Sequence, residues 1–280
     1  MYRGYESTFL YHFGTTVEWV ITGLRQRRHA ASARLFDDGI VCARVRKWPS
    51  RPDIAHLVLT DHTVAPSQGS LDEWTNSLRT EGYGSIRTGA LSQSAAAPFE
   101  LAGFHEVQQL ALLRMKTPVA HLTTRAGRRP HHEMRPLRSQ RALDVAARLD
   151  HLAFDSGWGL DVAGIEEACR ATPVHRIRLA VTATDEPVGY MITGRNGSAG
   201  FIQRLAVDPA HEGQGVATSL LQDGLGWLTR RRVTDILVNT HLDNERALTL
   251  YQRLGFEQLP ENLRVMELSL ESPLSESGVS

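Results

Sequence analysis

A glycine-rich loop near the end of the chain has residue types and spacing that could hold a pyrophosphate. The stretch DPAHEGQGVA, residues 208–217, lies between an apolar strand-like run and a helical segment, with Gly213 and Gly215 at the mouth of the helix. Glycines let the backbone approach a ligand there, and the unpaired N–H groups of the first helical turn point at it with the helix dipole behind them. Two ordinary turn glycines remain the alternative.

A second stretch, NERALTLYQRLGF at residues 244–256, places a polar residue and a tyrosine on one face of a helix. Asn244 begins the helix, and Tyr251 follows seven residues later, which is two helical turns. On the residues alone, Asn244 caps the helix and Tyr251 is a core aromatic. The chemistry of this helix therefore depends on what lies around it.

The stretch at 244–256 has a counterpart, SQSAAAPFELAGF, at residues 92–104, and the two align without a gap. Phe99 stands in the first copy where Tyr251 stands in the second. Helix capping alone can produce a short helix followed by Gly-Phe. The agreement continues upstream, however, where VAPSQG precedes one helical segment as VDPAHEG precedes the other. We therefore predict an internal duplication.

The elements around these motifs indicate two α/β domains. Apolar periodicity in the second half predicts, in order, helices at 138–154 and 164–171, strands at 176–184, 185–195 and 200–208, a helix at 216–232, a strand at 234–240, a helix at 245–255 and a strand at 262–270. Residues 124–138 hold five arginines and two prolines without apolar periodicity, which is typical of a linker. We expect domains at 1–120 and 139–270, a linker at 121–138 and a disordered tail at 271–280.

Composition excludes several classes of protein. The 280 residues include 31 basic and 31 acidic side chains, so no overall field attracts nucleic acid. Cys42 and Cys169 form no CxxC pattern, and the adjacent His131, His132 and Glu133 lack the placement that a helix gives to metal ligands. No continuous apolar run indicates a membrane span. We expect a cytoplasmic protein without a metal, a membrane or a nucleic acid as partner.

The order of motifs resembles the GCN5-related N-acetyltransferases (GNAT). A strand ending in LAVDP, a Gly-x-Gly loop, a long helix, a strand and N-x-x-A-x-x-x-Y-x-x-x-G-F follow one another, and the resemblance covers residues 135–270. The first half resembles the family faintly. The resemblance implies two tandem GNAT-like domains, each a mixed central sheet flanked by helices, in an arrangement similar to that of mycothiol synthase.

The resemblance implies an N-acetyltransferase that moves the acetyl group of acetyl-CoA to a primary amine by direct attack, with Tyr251 protonating the departing thiolate as general acid. The implied cofactor-binding residues are Leu205, Ala206, Val207, Glu212, Gly213, Gln214, Gly215, Val216, Ala217 and Asn244. Glu212 departs from the family's preference for Arg or Gln, and its carboxylate would repel phosphates. We therefore expect a reduced affinity for acetyl-CoA.

The first copy looks like a decayed one. Phe99 lacks the hydroxyl that could give a proton, Ser92 replaces Asn244, and the stretch VAPSQGSLDEW has one glycine where two are needed. We therefore expect a degenerate N-terminal domain beside an active C-terminal one. A non-catalytic acyl-CoA-binding sensor or partner module is the alternative function.

The acceptor is less well defined. Asp155 and Trp158 fall in the turn where the family often builds its acceptor pocket, and Asn239 lies with His241 on one face of a strand. We expect Asp155, Trp158 and Asn239 to contact the acceptor, and we assign no general base. The acceptor is either a small-molecule amine or the amine of a protein or peptide.

Overall fold

A computed structural model of the protein describes residues 34–48, 51–59, 65–117, 132–137, 139–154 and 157–271. Residues 34–117 are called the first half below, and residues 132–271 the second half. The predicted substrate residue Asp155, most of the expected linker and residues 272–280 of the expected tail lie outside the described residues.

The first half contains five strands and two helices: β1 (Arg34–Asp37), β2 (Cys42–Trp48), β3 (Arg51–Leu59), α1 (Gln68–Thr80), β4 (Ser85–Thr88), α2 (Gln93–Leu101) and β5 (His105–Lys116). The second half contains six strands, four α-helices and a short 3₁₀ turn: β6 (Glu133–Pro136), α3 (Gln140–Ala153), α4 (Val162–Arg170), β7 (Val174–Val181), β8 (Pro187–Asn196), β9 (Ala199–Val207), the turn Pro209–His211, α5 (Val216–Thr229), β10 (Asp235–His241), α6 (Glu245–Arg253) and β11 (Glu257–Ser269).

All eleven strands form one mixed sheet in the order β1-β2-β3-β4-β11-β5-β10-β9-β8-β7-β6. Strand β5 of the first half pairs antiparallel with β10 and β11 of the second half. Strand β11 in turn lies between β4 and β5. Each half therefore contributes one strand to the sheet of the other, an exchange that the sequence did not predict.

The expected linker needs a correction at its end. Residues 133–136 form strand β6, which pairs antiparallel with β7 from Glu133–Val181 to Pro136–Arg178. This strand is four residues long and lies at the edge of the sheet. Proline and charged residues are tolerated at such an edge, so composition alone made the segment look like a linker.

The duplicated stretches adopt the same local geometry. Ser92 and Asn244 each cap a helix. The side chain of each accepts a hydrogen bond from the backbone N–H three residues later, at 3.3 Å for Ser92 and 3.0 Å for Asn244. The N–H groups of Phe104 and Phe256 each donate back to the aromatic residue five positions earlier, at 3.0 Å in both copies. In both copies the two rings also pack edge to face.

Helices cover both faces of the second half's sheet. Helices α3 and α4 pack on one face around Leu149, Ile165 and Tyr190. Helix α5 packs on the other face around Leu220 and Leu225, in a core that also holds Val238 and Tyr251 of the adjoining elements. Because both faces are covered, β8 is almost continuously buried. A separate core in the first half includes Trp74 and Phe99.

Candidate functional site

Strands β9 and β10 separate partway along their length. They pair in parallel only from Ala199 to Phe201 of β9, against Asp235 to Leu237 of β10. A register shift in the β8–β9 ladder leaves Gln203 as an extra residue in β9 just beyond this point. Such a bulge bends the strand that carries it. The remainder of β9 therefore has an open edge on the side of β10.

The ladder with β8 decides which backbone groups face this open edge. Asp208 donates its N–H to the carbonyl of Val188 at 2.9 Å. Because hydrogen-bonded and non-bonded positions alternate in an antiparallel pair, the backbone of Ala206 is directed at Tyr190, whereas those of Leu205 and Val207 point the other way. The gap is therefore lined by the N–H and C=O groups of Leu205 and Val207. The expected pairing through Ala206 does not fit this geometry.

The glycine-rich loop follows directly from β9 to the N-terminus of α5. Gly213 and Gly215 have φ values of +74° and +81°, a conformation that glycine adopts without steric cost. A Cβ at either glycine would meet no atom of the described residues within 4 Å. Gly215 is the N-cap of α5, and within the part of the chain that the structure describes no side chain caps this helix. The backbone N–H groups in the first turn of α5, which begins with Val216 and Ala217, are thus available to a ligand.

Glu212 at the start of this loop has a cationic partner. Its Oε2 lies 2.5 Å from Nη1 of Arg246 in the first turn of α6. Gln214, the loop's other long side chain, donates from Nε2 to the carbonyl of Ala210 at 3.3 Å. The ion pair offsets the carboxylate charge that the sequence suggested would repel phosphates. It also connects the loop to the helix that carries Asn244 and Tyr251.

Tyr251 is buried in the core shared by α5 and α6, with 5% of its surface exposed. Its ring packs on Phe256 with 5.5 Å between the ring centroids. Burial raises the pKa of its hydroxyl, so it is protonated at neutral pH. Within the described residues, this hydroxyl makes no hydrogen bond to the protein. Asn244 uses its Oδ1 to cap α6, as the residues alone predicted.

Of the predicted substrate residues, Trp158 and Asn239 are described by the structure, and they lie on different elements. Trp158 lies in the turn of residues 157–160, and its carbonyl accepts a hydrogen bond from Arg204 at 2.8 Å. Asn239 is exposed on β10 beyond the point where the strands separate. His241 nearby accepts a hydrogen bond from the N–H of Asp243 at its Nδ1, at 3.2 Å.

A buried polar network behind this turn was not predicted from the sequence. Asp150 of α3 is fully buried and accepts from Nε and Nη2 of Arg204 at 2.8 and 2.6 Å. It also accepts from the Tyr190 hydroxyl and from the Leu160 N–H. Paired in this way, a buried carboxylate is stabilised. The available signal was positional, because Asp150 falls on the apolar stripe of α3, four residues after Ala146.

The equivalent helix N-terminus in the first half is already occupied by its own side chains. Ser67 caps α1 by accepting from the Ser70 N–H at 3.1 Å, and Ser70 donates its hydroxyl to Asp38. The hydrogen bond from Ser70, followed by those from backbone N–H groups, lowers the pKa of Asp38. The Asp38 carboxylate thus lies at the N-terminus of α1, the position that corresponds to the uncapped N-terminus of α5 in the second half.

Two features are absent from the described part of the chain. No three His, Cys, Asp or Glu side chains there form a group that could hold a metal ion. Every helix there is too short or too polar to cross a membrane.

Comparisons with known proteins agree with this architecture. Residues 149–256 match the family described as Acetyltransferase (GNAT) family. Mycothiol acetyltransferase of Renibacterium salmoninarum is 26% identical over 230 residues, which cover 76% of this chain and 68% of that protein. N-alpha-acetyltransferase 30 of Schizosaccharomyces pombe is 42% identical over 57 residues, which cover 20% of this chain and 38% of that protein.

A solved structure shares the whole fold. The tandem GNAT protein from the clavulanic acid biosynthesis pathway superposes with a TM-score of 0.62 at 12% identity, covering 93% of this chain and 95% of that chain. The GNAT resemblance and the tandem α/β fold expected from the sequence are therefore confirmed.

Proposed function

We propose, on the premise that residues 149–256 form a GNAT acetyltransferase domain, that the second half transfers the acetyl group of acetyl-CoA to a primary amine. The observation that carries the proposal is the open edge of β9, where the backbone groups of Leu205 and Val207 pair with no strand among the described residues. An extended arm with its own amides can bind such an edge as an added strand does. The pantetheine arm of acetyl-CoA has this chemistry.

The loop beyond β9 fits the other end of the same ligand. Residues 212–217 would wrap the pyrophosphate, because the uncapped N-terminus of α5 offers N–H groups and the positive end of a helix dipole. Arg246 adds a cation beside the loop. Asn244, at the start of α6, would donate a further hydrogen bond from its side-chain amide.

Acetyl-CoA supplies an acyl thioester, whose carbonyl carbon the amine attacks directly. The N–H of Leu205 or Val207 would donate to the carbonyl oxygen as negative charge develops on it, which is usually the largest contribution in acyl transfer. The new N–C bond forms as the C–S bond breaks. Tyr251 would then give its proton to the departing sulfur, and burial keeps that proton in place beforehand. The proton that the amine loses passes to solvent.

The acceptor would contact Trp158 in the turn of residues 157–160 and Asn239 on β10. The relatives' names point to two kinds of amine, since one is a mycothiol acetyltransferase and another an N-alpha-acetyltransferase. A small amine and a peptide N-terminus are therefore the acceptor classes to compare. Asp155 stays a proposed contact of the acceptor's ammonium group.

We further propose that the first half is non-catalytic. Its helix end is closed by Ser67 and faced by Asp38, and Phe99 has no proton to give. A carboxylate at that helix end would repel a pyrophosphate. We expect a single acetyl-CoA site per chain.

The test combines binding with turnover in the full-length protein. Isothermal titration with acetyl-CoA should give one site, and two sites of similar affinity would contradict an inert first half. Thiol release from acetyl-CoA is then measured with ethanolamine, glucosamine, spermidine and tetrapeptides that have a free α-amino group. Release stimulated by at least one amine supports the proposal. Tight binding without release for every amine would favour the alternative, a non-catalytic acyl-CoA-binding module.

A further inference from the structure

The turn of residues 157–160 is held by both halves of the molecule. On its own side, Arg204 donates to the Trp158 carbonyl at 2.8 Å, and the Leu160 N–H donates to the buried Asp150 at 2.6 Å. From the first half, the indole N–H of Trp48 donates to the carbonyl of Gly157. Three of the four residues of this turn are therefore held by hydrogen bonds, one of them from the first half.

The contact from the first half is aromatic as well as polar. Trp48 and Trp158 pack edge to face, with 5.0 Å between ring centroids and 86° between ring planes. The Arg87 guanidinium lies 4.9 Å from the Trp48 ring centroid and 5.4 Å from that of Trp158. Glu267 of the exchanged strand β11 holds Arg87 through Nε at 2.8 Å and Nη2 at 2.6 Å. The edge-to-face ring pair and the guanidinium beside the two rings are both favourable arrangements.

A register shift in β2 and two ion pairs from β2 to α4 accompany the contact that Trp48 makes with the turn. The β2–β3 register shifts between Lys47 and Trp48, at the end of the strand. Arg44 and Arg46, on the same strand, both contact Glu167 of α4, at 2.9 and 2.8 Å. Because α4 begins directly after the turn, these ion pairs fix β2 alongside the segment that Trp48 touches.

The turn is also connected to the open edge of β9. Arg204, which holds the Trp158 carbonyl, precedes Leu205, one of the two residues whose backbone lines the gap. A displacement of the turn would therefore change the distance between Trp158 and the place where the proposed reaction occurs. Geometry of this kind strongly affects rates of bimolecular reactions.

We propose that the first half positions the acceptor turn of the second half, with Trp48 as the positioning residue and Arg87 as its support. The proposal gives the first half a role that needs no cofactor. Its kinetic consequences rest on the proposed acetyl transfer, whereas its consequences for the turn do not.

The kinetic test uses the amine from the panel above that gives the highest rate. In Trp48→Ala, the KM for that amine should rise about tenfold while the Kd for acetyl-CoA stays within about twofold of wild type. Trp48→Phe keeps an aromatic ring but loses the indole N–H and part of the ring contact, so its KM should lie in between. Trp74→Phe is the matched control, since Trp74 lies in the core of the first half. It should lower the melting temperature without changing the KM.

A second measurement needs no activity. Hydrogen exchange at the Leu160 amide should become about tenfold faster in Trp48→Ala and stay unchanged at Val238 in β10. Arg87→Lys should increase the exchange rate at Leu160 by a smaller factor. If Trp48→Ala does not fold, Arg87→Lys and Trp48→Phe replace it in this measurement. Unchanged exchange at Leu160 in folded variants would overturn the proposal, even in a protein that transfers no acetyl group. Faster exchange with an unchanged KM would overturn the positioning role and leave a purely structural contact.

Discussion

Tyr251 and Phe99 form a matched pair that differs by one oxygen atom. Both rings are buried in their half, and both pack edge to face on the phenylalanine that follows the helix-ending glycine. The packing environment is therefore shared, and only the hydroxyl is specific to the second half. Removing or adding that hydroxyl separates a chemical role from a packing role.

We expect Tyr251→Phe to lower kcat by about 10²-fold, the lower end of what proton transfer by a positioned side chain supplies. Affinity for acetyl-CoA and the melting temperature should stay close to wild type, because the hydroxyl makes no hydrogen bond within the described residues. Steady-state kinetics and a thermal melt check this. Phe99→Tyr is the companion variant and should create no activity. Full turnover in Tyr251→Phe would exclude it as the acid.

His56 should make stability depend on pH. Burial and the charges of Arg46, Arg87 and Arg44 lower its pKa from 6.5 to about 3. The folded protein thus keeps a neutral imidazole in a pH range where the unfolded chain binds a proton. The contribution of the neutral His56 side chain to the free energy of unfolding is complete above pH 6.5. It is lost as the pH falls toward 3, by at most about 1.4 kcal/mol per pH unit. His56→Gln should show a smaller drop in the free energy of unfolding between pH 7 and pH 5, and an equal drop would refute the pKa shift.

At the scale of elements, the ion pair between Glu212 and Arg246 connects the glycine-rich loop to α6. Arg246→Gln should weaken acetyl-CoA binding by about tenfold, because it leaves a bare carboxylate beside the phosphates. Glu212→Gln should bind at least as tightly as wild type, and the double variant should lie between the two. Titrations at low and high salt check this, since exposed charges are screened. Equal affinities in all variants would place the phosphates elsewhere.

Two glycines of α5 offer a second comparison. A Cβ at Gly224 would lie 2.3 Å from Met191 Cε and 2.9 Å from Thr193 Oγ1, whereas at Gly226 the nearest atom is Nη1 of Arg230 at 3.4 Å. Alanine gains about 1 kcal/mol over glycine in a helix, but overpacking costs about 1–3 kcal/mol. Gly224→Ala should therefore lower the melting temperature and Gly226→Ala should raise it or leave it unchanged. Equal shifts would show that β8 yields to the added methyl.

The elements show what the sequence could predict. Periodicity and caps located α5, α6 and the strands β7 to β10 to within a few residues, because those signals are local. Strand β6 falls in the expected linker, and β11 begins five residues before the predicted strand. The exchange of β5 and β11 was not predictable, since pairing partners far apart leave no local pattern. The same limit hid the contacts of Trp48 and the partner of Glu212. The glycine-rich loop was recognised because its chemistry depends on adjacent residues.

At the scale of the whole molecule, neither half has a complete sheet without the other. A fragment of residues 1–120 lacks β11 between β4 and β5, and a fragment of residues 121–280 lacks β5 between β10 and β11. We expect each fragment alone to be largely unfolded and a mixture of both to regain the circular dichroism of the full chain. The intact protein should unfold in a single calorimetric transition. Two separate transitions, or a fragment that folds alone, would contradict this.

The exchanged strands also set the order in which the molecule can be completed during its synthesis. Domains generally fold in the order in which they leave the ribosome. Here β4 pairs with β3 within the first half but cannot gain its second neighbour until residues 257–269 have been made, since those residues are β11. The first half is made before the second but therefore keeps an open sheet edge at β4 until β11 has been synthesised.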